Sequence, residues 1–100
     1  MYSQVLEGWA IPNKTTVERF GEAIASAGFQ KIQCIDKTPL IRKSSDLMHE
    51  GCESVLPVLF AQVLEGKIPR AVLLNNIAGS RQKACLDLGI WGYKIFIAEK

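Results

Sequence analysis

Tyr93-Lys94-Ile95-Phe96-Ile97-Ala98 is the stretch that decides the fold. Its isoleucines and aromatics are residues that fill a pleated, half-buried surface, and Gly92 on one side and the charged pair Glu99-Lys100 on the other bound it, so it reads as a strand. A second, shorter strand is expected upstream at residues 31–36, with Ile32 and Cys34 on one face and Ile35 on the other. Pro39 then ends it, having no N–H to give a ladder. A pair of strands leaves both outer edges and one face in need of cover.

The rest of the chain reads as helix. Thr15 with Glu18 three residues later has the form of a capping box, and Val17, Phe20, Ile24 and Ala27 follow at helical spacing, which predicts a helix over 16–27. Gly28 stops it in the left-handed conformation and Phe29 folds back on the last turn. Ser44-Ser45-Asp46 offers a cap cluster, after which Leu47, Met48, Val55, Leu56, Leu59, Phe60 and Val63 supply an apolar helical pattern. Gly51 and Pro57 divide this region into a short and a longer helix near residues 51–54. Glu65-Gly66-Lys67-Ile68-Pro69 makes the next break, and a helix over 70–88 follows with Leu73, Leu74, Ile77, Ala84 and Leu88 inward and Gly89 at its end. Gly79-Ser80 is a weak spot in it. The two helices form a hairpin.

At 100 residues the chain is expected to be a single domain spanning 1–100, and 48% hydrophobic and 22% charged residues place it among globular proteins. A core of this size leaves little margin unless another chain covers part of it. Twelve basic residues are spread against ten acidic ones for a net charge of +2, with no basic stripe interleaved with aromatics, which argues against a nucleic-acid surface. Cys34, Cys52 and Cys85 lack metal or disulfide spacing and sit among apolar neighbours as small hydrophobes, pointing to a reducing, cytoplasmic compartment. The start of the chain lacks the pattern of a secretory signal. The longest apolar run, residues 55–64, is too short and too interrupted for a membrane span.

Four segments in this order resemble the C-terminal part of the seven-strand, class I-type S-adenosylmethionine-dependent methyltransferases of small molecules. They are Gly8-Trp9-Ala10-Ile11-Pro12-Asn13, the helix exit Ala27-Gly28-Phe29, the strand end Asp36-Lys37-Thr38, and Trp91-Gly92-Tyr93-Lys94-Ile95-Phe96-Ile97-Ala98-Glu99-Lys100. The resemblance implies an α/β chain, more narrowly an α+β fragment. Its order would be helix, strand, helices, strand, with two antiparallel strands and a helical lid, like the C-terminal part of a Rossmann-like methyltransferase. Such enzymes hold the cofactor on a Gly-rich turn after their first strand. The eight glycines here never occur as Gly-x-Gly, so no S-adenosylmethionine is expected on this chain alone, although the intact family implies it. The chain is then expected to be a fragment, a truncated gene product or one half of a split enzyme, with Met1 an internal methionine of a longer ancestor.

On that reading Trp9, Met48, His49, Trp91 and Tyr93 are the candidate substrate-binding residues, and Phe60 is a lesser one. Apolar and aromatic side chains with a few polar groups suit a small-molecule acceptor. His49, the single histidine, is the candidate base for deprotonating a hydroxyl or amine, with a surface or capping role as its plainer alternative. No metal cluster, triad or phosphate loop is legible. Two other classes compete: a non-catalytic dimerisation or small-ligand-binding module, and an unrelated small enzyme using His49 or Cys52. Partners are expected to be a second copy covering one of the strands, giving a homodimer, or a cofactor-binding methyltransferase half.

Overall fold

The computed structural model describes residues 2–11 and 15–100. Met1 and Lys14 lie outside it, as do Pro12 and Asn13, the end of the first resembling segment. The elements are α1 (Tyr2–Gly8), α2 (Val17–Ser26), β1 (Gln30–Asp36), α3 (Thr38–Leu64), α4 (Arg70–Asp87) and β2 (Lys94–Glu99). The class is therefore mixed helix and strand, with one antiparallel two-stranded sheet. The chain divides into a helical unit, residues 1–12 and 42–91, and a strand unit, residues 13–41 and 92–100.

In the helical unit α4 is the central element. Leu73, Ala78, Cys85 and Leu86 are buried on it, and Val5 joins them from α1, a helix the sequence pattern does not announce because it is only two turns long. Two glycines fix how closely the helices approach. A Cβ on Gly8 would overlap the backbone oxygen of Leu74, and one on Gly79 would lie 2.6 Å from Cys52 Sγ. Gly79-Ser80 is thus a seat for α3 rather than a weak spot, and α4 runs unbroken through it.

Four helix ends close in the same way. After α2, α3 and α4 the residue past the cap is Gly28, Gly66 or Gly89, each at positive φ. The following two amides reach back onto the last turn, as in Gly28 N–H to Ala25 O and Phe29 N–H to Ile24 O. At α1 the same pair of bonds forms through Ala10 and Ile11, with Ala10 at φ 53°. A side chain in that region costs about 1 kcal/mol relative to glycine.

Two expectations for α3 are corrected. Gly51 and Pro57 do not divide it: one helix of 27 residues contains both, and it is bonded to α4 on both sides of Gly51, at Ser45 and His49 before it and at Cys52 and Glu53 after it. Ser44-Ser45-Asp46 is likewise not its cap. The helix begins at Thr38, where Pro39 sits in the first turn and needs no N–H, and Ser45 is instead buried against α4. The apolar residues of α3 encircle it, so Leu56, Leu59 and Val63 are half-buried while Leu47, Met48, Val55 and Phe60 are exposed. Leu88, expected inward, is exposed just past α4.

In the strand unit Thr16, one residue later than the expected Thr15, caps α2 by accepting the Arg19 amide on its hydroxyl at 3.1 Å. β1 pairs antiparallel with β2, Cys34 opposite Phe96 and Ile35 opposite Ile95, with a bulge between Gln30 and Gln33 that puts Lys31 at φ 51°. Phe96 meets Phe20 of α2 edge-on at 5.0 Å between ring centres. Alternation then turns Ile95 and Ile97 to the other face, where they are 38% and 49% exposed. Cys34, expected to be buried, is exposed as well. No described residue of this unit is fully buried. Among the described residues no helix is long and apolar enough to cross a membrane.

Candidate functional site

The seam between α3 and α4 carries the polar groups that the helical unit takes inside. The Ser45 hydroxyl donates to Gln82 Oε1 at 2.8 Å, and Gln82 Nε2 donates to the Ser45 carbonyl at 2.9 Å. Both side chains are buried, and the reciprocal pair leaves neither amide group of Gln82 unmet. One turn along, His49 Nδ1 lies 2.8 Å from the Ser80 carbonyl. A carbonyl only accepts, so Nδ1 carries the proton and donates. The Ser80 hydroxyl donates to Glu53, which also meets Arg81 at 3.8 Å, and Asn76 Nδ2 donates to the Cys52 carbonyl at 3.0 Å. Trp91 Nε1 donates to the Gln82 carbonyl at 3.2 Å, tying the segment after α4 back to it.

At the end of the seam nearer the solvent, Lys83 lies between Asp87 at 2.6 Å and Asp46 at 3.3 Å. Asp46 Oδ1 is buried without hydrogen-bond geometry, so its contact with Lys83 is an ion pair alone. The hydrogen bond from Lys83, with Arg42 adding to it, holds the Asp87 carboxyl below its usual range, and the hydrogen bond to Asp87 together with the nearby Asp46 carboxylate pushes the Lys83 ammonium up.

Beside this seam, and lined entirely from the helical unit, opens a cleft of about 500 Å³. Trp9, Met48, Leu59 and Val72 make apolar walls; Asn75 and Asn76 supply amides; Gly79 and Cys52 stand together between them. This is the composition of a small-molecule site, apolar with a few convergent polar groups. A second cleft of about 380 Å³, lined by residues including Leu56, Phe60, Leu73 and Ile77, has Arg81 as its one charged side chain.

Of the five candidate binding residues, the fold brings Trp9 and Met48 into one cleft. His49 is half-buried with Nδ1 committed to Ser80, and Trp91 anchors the chain on Gln82. Neither is among the residues that line the cleft. Tyr93 is an exposed side chain of the strand unit whose backbone serves the junction of β1 and α3. Its N–H donates to Thr38 Oγ1 at 3.0 Å and its carbonyl accepts the Lys37 amide at 2.8 Å. Phe60 lies on the second cleft. Cys52, Leu59, Val72, Asn75, Asn76 and Gly79 are the cleft residues that sequence reasoning did not place there. An i, i+3, i+4 pattern of Val72, Asn75, Asn76 and Gly79 on one helix face is the signal that could have found them.

The thiol of Cys52 is a poor nucleophile here. Burial, reinforced by the neighbouring Glu53 carboxylate, pushes its pKa up, whereas a reactive cysteine needs the opposite. Among the described residues no group of three histidine, cysteine or carboxylate side chains is placed to hold a metal ion.

Among the described residues there is no Gly-rich strand-to-helix turn of the kind on which the resembling family holds S-adenosylmethionine. Gly28, Gly66 and Gly89, the glycines at positive φ, all end helices. The turn from β1 into α3 is Lys37 followed by Thr38 and Pro39, without glycine, and its amides are spent: Lys37 N–H on Tyr93 O, Thr38 N–H on Asp36 Oδ1 at 2.9 Å. That turn has no free backbone donor to offer a cofactor.

No family model matches the chain, and comparison with curated proteins and with solved structures finds no match to either.

Proposed function

We propose that the chain is substrate-side material of an S-adenosylmethionine-dependent small-molecule methyltransferase, holding the methyl acceptor in the Trp9–Met48 cleft and acting only with a cofactor-binding half. The observation that carries this reading is the make-up of the cleft: apolar walls, two amides and a suppressed thiol, with no acid or base lining it. Such a site holds and orients a small, largely flat molecule and does not activate it. The order from α2 onward, helix, strand, two helices, strand, supports the same reading. So does the antiparallel strand pair, which finds no third strand among the described residues. In this account Trp9 provides the stacking surface, Met48 and Val72 the sides, and Asn75 and Asn76 the hydrogen bonds that set orientation.

A second reading, a small-ligand-binding module with no catalytic partner, is favoured by the same lack of an acid or base. Calorimetric titration of the purified chain separates the possibilities. Small aromatic alcohols and amines are expected to bind to the wild type and to the His49→Ala variant, and to lose binding in Trp9→Ala. S-adenosylmethionine is expected to give no heat. Absence of binding by the whole acceptor panel overturns the cleft assignment. Tight binding of S-adenosylmethionine by the chain alone overturns the need for a partner half.

A further inference from the structure

Every glycine within a helix of this chain but one has a neighbour at its Cβ position. Gly8 and Gly79 are seats of close helix approach, and Gly21 of α2 faces Phe96 at 3.7 Å. Gly51, in the middle of α3, has nothing within 4 Å of where its Cβ would be. A glycine there weakens the helix relative to alanine and returns nothing to the chain's own packing.

The surface around it is apolar and regular. Ser44, Leu47, Gly51, Ser54, Val58 and Ala61 follow one another at alternating spacings of three and four, and all are exposed. Leu47 is 59% exposed and Val58 57%, and Val55 on the flank is 44% exposed. That spacing is the seam along which two helices pack, and over these residues it runs about 27 Å. None of the six carries a charge. The Ser54 hydroxyl donates back to the Gly51 carbonyl at 2.8 Å, so its polar atom is satisfied within the helix and its burial would strand no group.

We infer that this face of α3 packs against the same face of a second copy of the chain, antiparallel about a two-fold axis passing between Gly51 and Ser54. The pattern is self-complementary in that arrangement. Gly51 of one copy meets Ser54 of the other in a small central layer that lets the backbones approach, Leu47 meets Val58 on either side of it, and Ser44 meets Ala61 beyond. Charge selects the direction. Antiparallel packing brings Lys43, at one end of the stripe, within a turn of Glu65 at the far end of the second copy's stripe, where Glu65 also meets Lys67 of its own chain at 2.9 Å, whereas parallel packing stacks each of these two residues on its own like. The inference stands apart from the acceptor reading, since no residue of the central layer lines the cleft.

Sedimentation equilibrium of the full chain tests it. Twice the 11.1 kDa chain mass is expected at concentrations on the order of 10 µM. Gly51→Leu is the decisive variant: the space around Gly51 accepts the side chain within one copy, so the helix content by circular dichroism is retained while dimerisation weakens by about tenfold or more. Leu47→Lys is expected to do the same. Lys43→Glu weakens association, and adding Glu65→Lys restores it. A wild-type monomer throughout, or a dimer indifferent to Gly51→Leu, overturns the inference. Failure of the double charge exchange to recover association overturns the antiparallel arrangement.

Discussion

Leu73 and Leu86 of α4 are buried, while Ile95 and Ile97 of β2, just as apolar, are well exposed. The two units of this chain are built from similar residues and differ in what their elements can be packed against. In the helical unit, α1 and α3 approach α4 closely enough for two glycines to be required, and Ser45, His49, Asn76, Ser80 and Gln82 in the seam each find a hydrogen-bond partner, Ser45 and Gln82 reciprocally. In the strand unit, α2 covers one face of the strand pair through Phe20 and Phe96, and no described residue is fully buried. Apolar content alone does not make a core. A two-stranded sheet with one helix has too few surfaces to close around its isoleucines, which is the condition expected of strands whose sheet is completed by another chain.

The contrast can be broken from the helical side first. Gly8→Ala places a methyl group on the Leu74 backbone oxygen, which cannot yield as a side chain can, and is expected to cost about 3 kcal/mol. Urea unfolding followed by tryptophan fluorescence reads this directly, since Trp9 and Trp91 both belong to the helical unit. Gln82→Ala is next. It removes both bonds to Ser45 and leaves a buried hydroxyl without its acceptor, so a loss of about 2 kcal/mol is expected in the same assay. A loss under about 0.5 kcal/mol would mean that the seam is wetter than its burial implies.

Phe96→Ala sharpens the contrast from the other side. The ring is half-buried and its edge contact with Phe20 adds a modest amount, so about 1 kcal/mol is expected. The loss is read in amide exchange of β1 and β2 and leaves the tryptophan transition unmoved. The smallest effect is electrostatic. The Asp36 carboxyl is held far below its usual range, first by the hydrogen bond from Lys94 at 2.8 Å and then by those from Thr38. Its pKa in the folded chain is below the unfolded value of about 3.9. Whatever it contributes is therefore present above about pH 4 and is lost only as pH falls through the lower, folded value. Carbon-detected titration of the carboxyl groups is expected to find Asp36 still ionised at about pH 3, where ordinary carboxylates are mostly protonated. Titration near 4 would show that the Lys94 contact is not maintained in solution.

Much of this fold is legible in local chemistry. The three glycines that end α2, α3 and α4 are read correctly because a left-handed residue after a helix is a local requirement, and α4 and β2 emerge within a residue of their expected limits. What is not legible is set by contacts between distant residues. Nothing near Gly79 in the sequence says that Cys52 will lie against it, so a packing seat reads as a weak point. Ser45 next to Asp46 looks like a cap until Gln82 claims it. Gly51 and Pro57 look like a break, yet α3 runs through both and is bonded to α4 on either side of Gly51. The candidate site is legible to the same degree. Trp9 and Met48, singled out by residue type, line one cleft with Asn75, Asn76 and Cys52, whose place there depends on how α3 and α4 meet. His49 and Trp91 are drawn off by carbonyls of α4.

Residue-resolved hydrogen exchange under native conditions tests the central claim, that the helical unit has a closed core of its own along α4 while the strand pair awaits its neighbours. The account predicts that amides of the paired strand residues Cys34 and Phe96 exchange at least about 100-fold faster, relative to their intrinsic rates, than those of Leu73, Ala78 and Leu86 in α4. Equal protection in the strands and in α4 would contradict it, showing the strand unit to be as complete as the helical one.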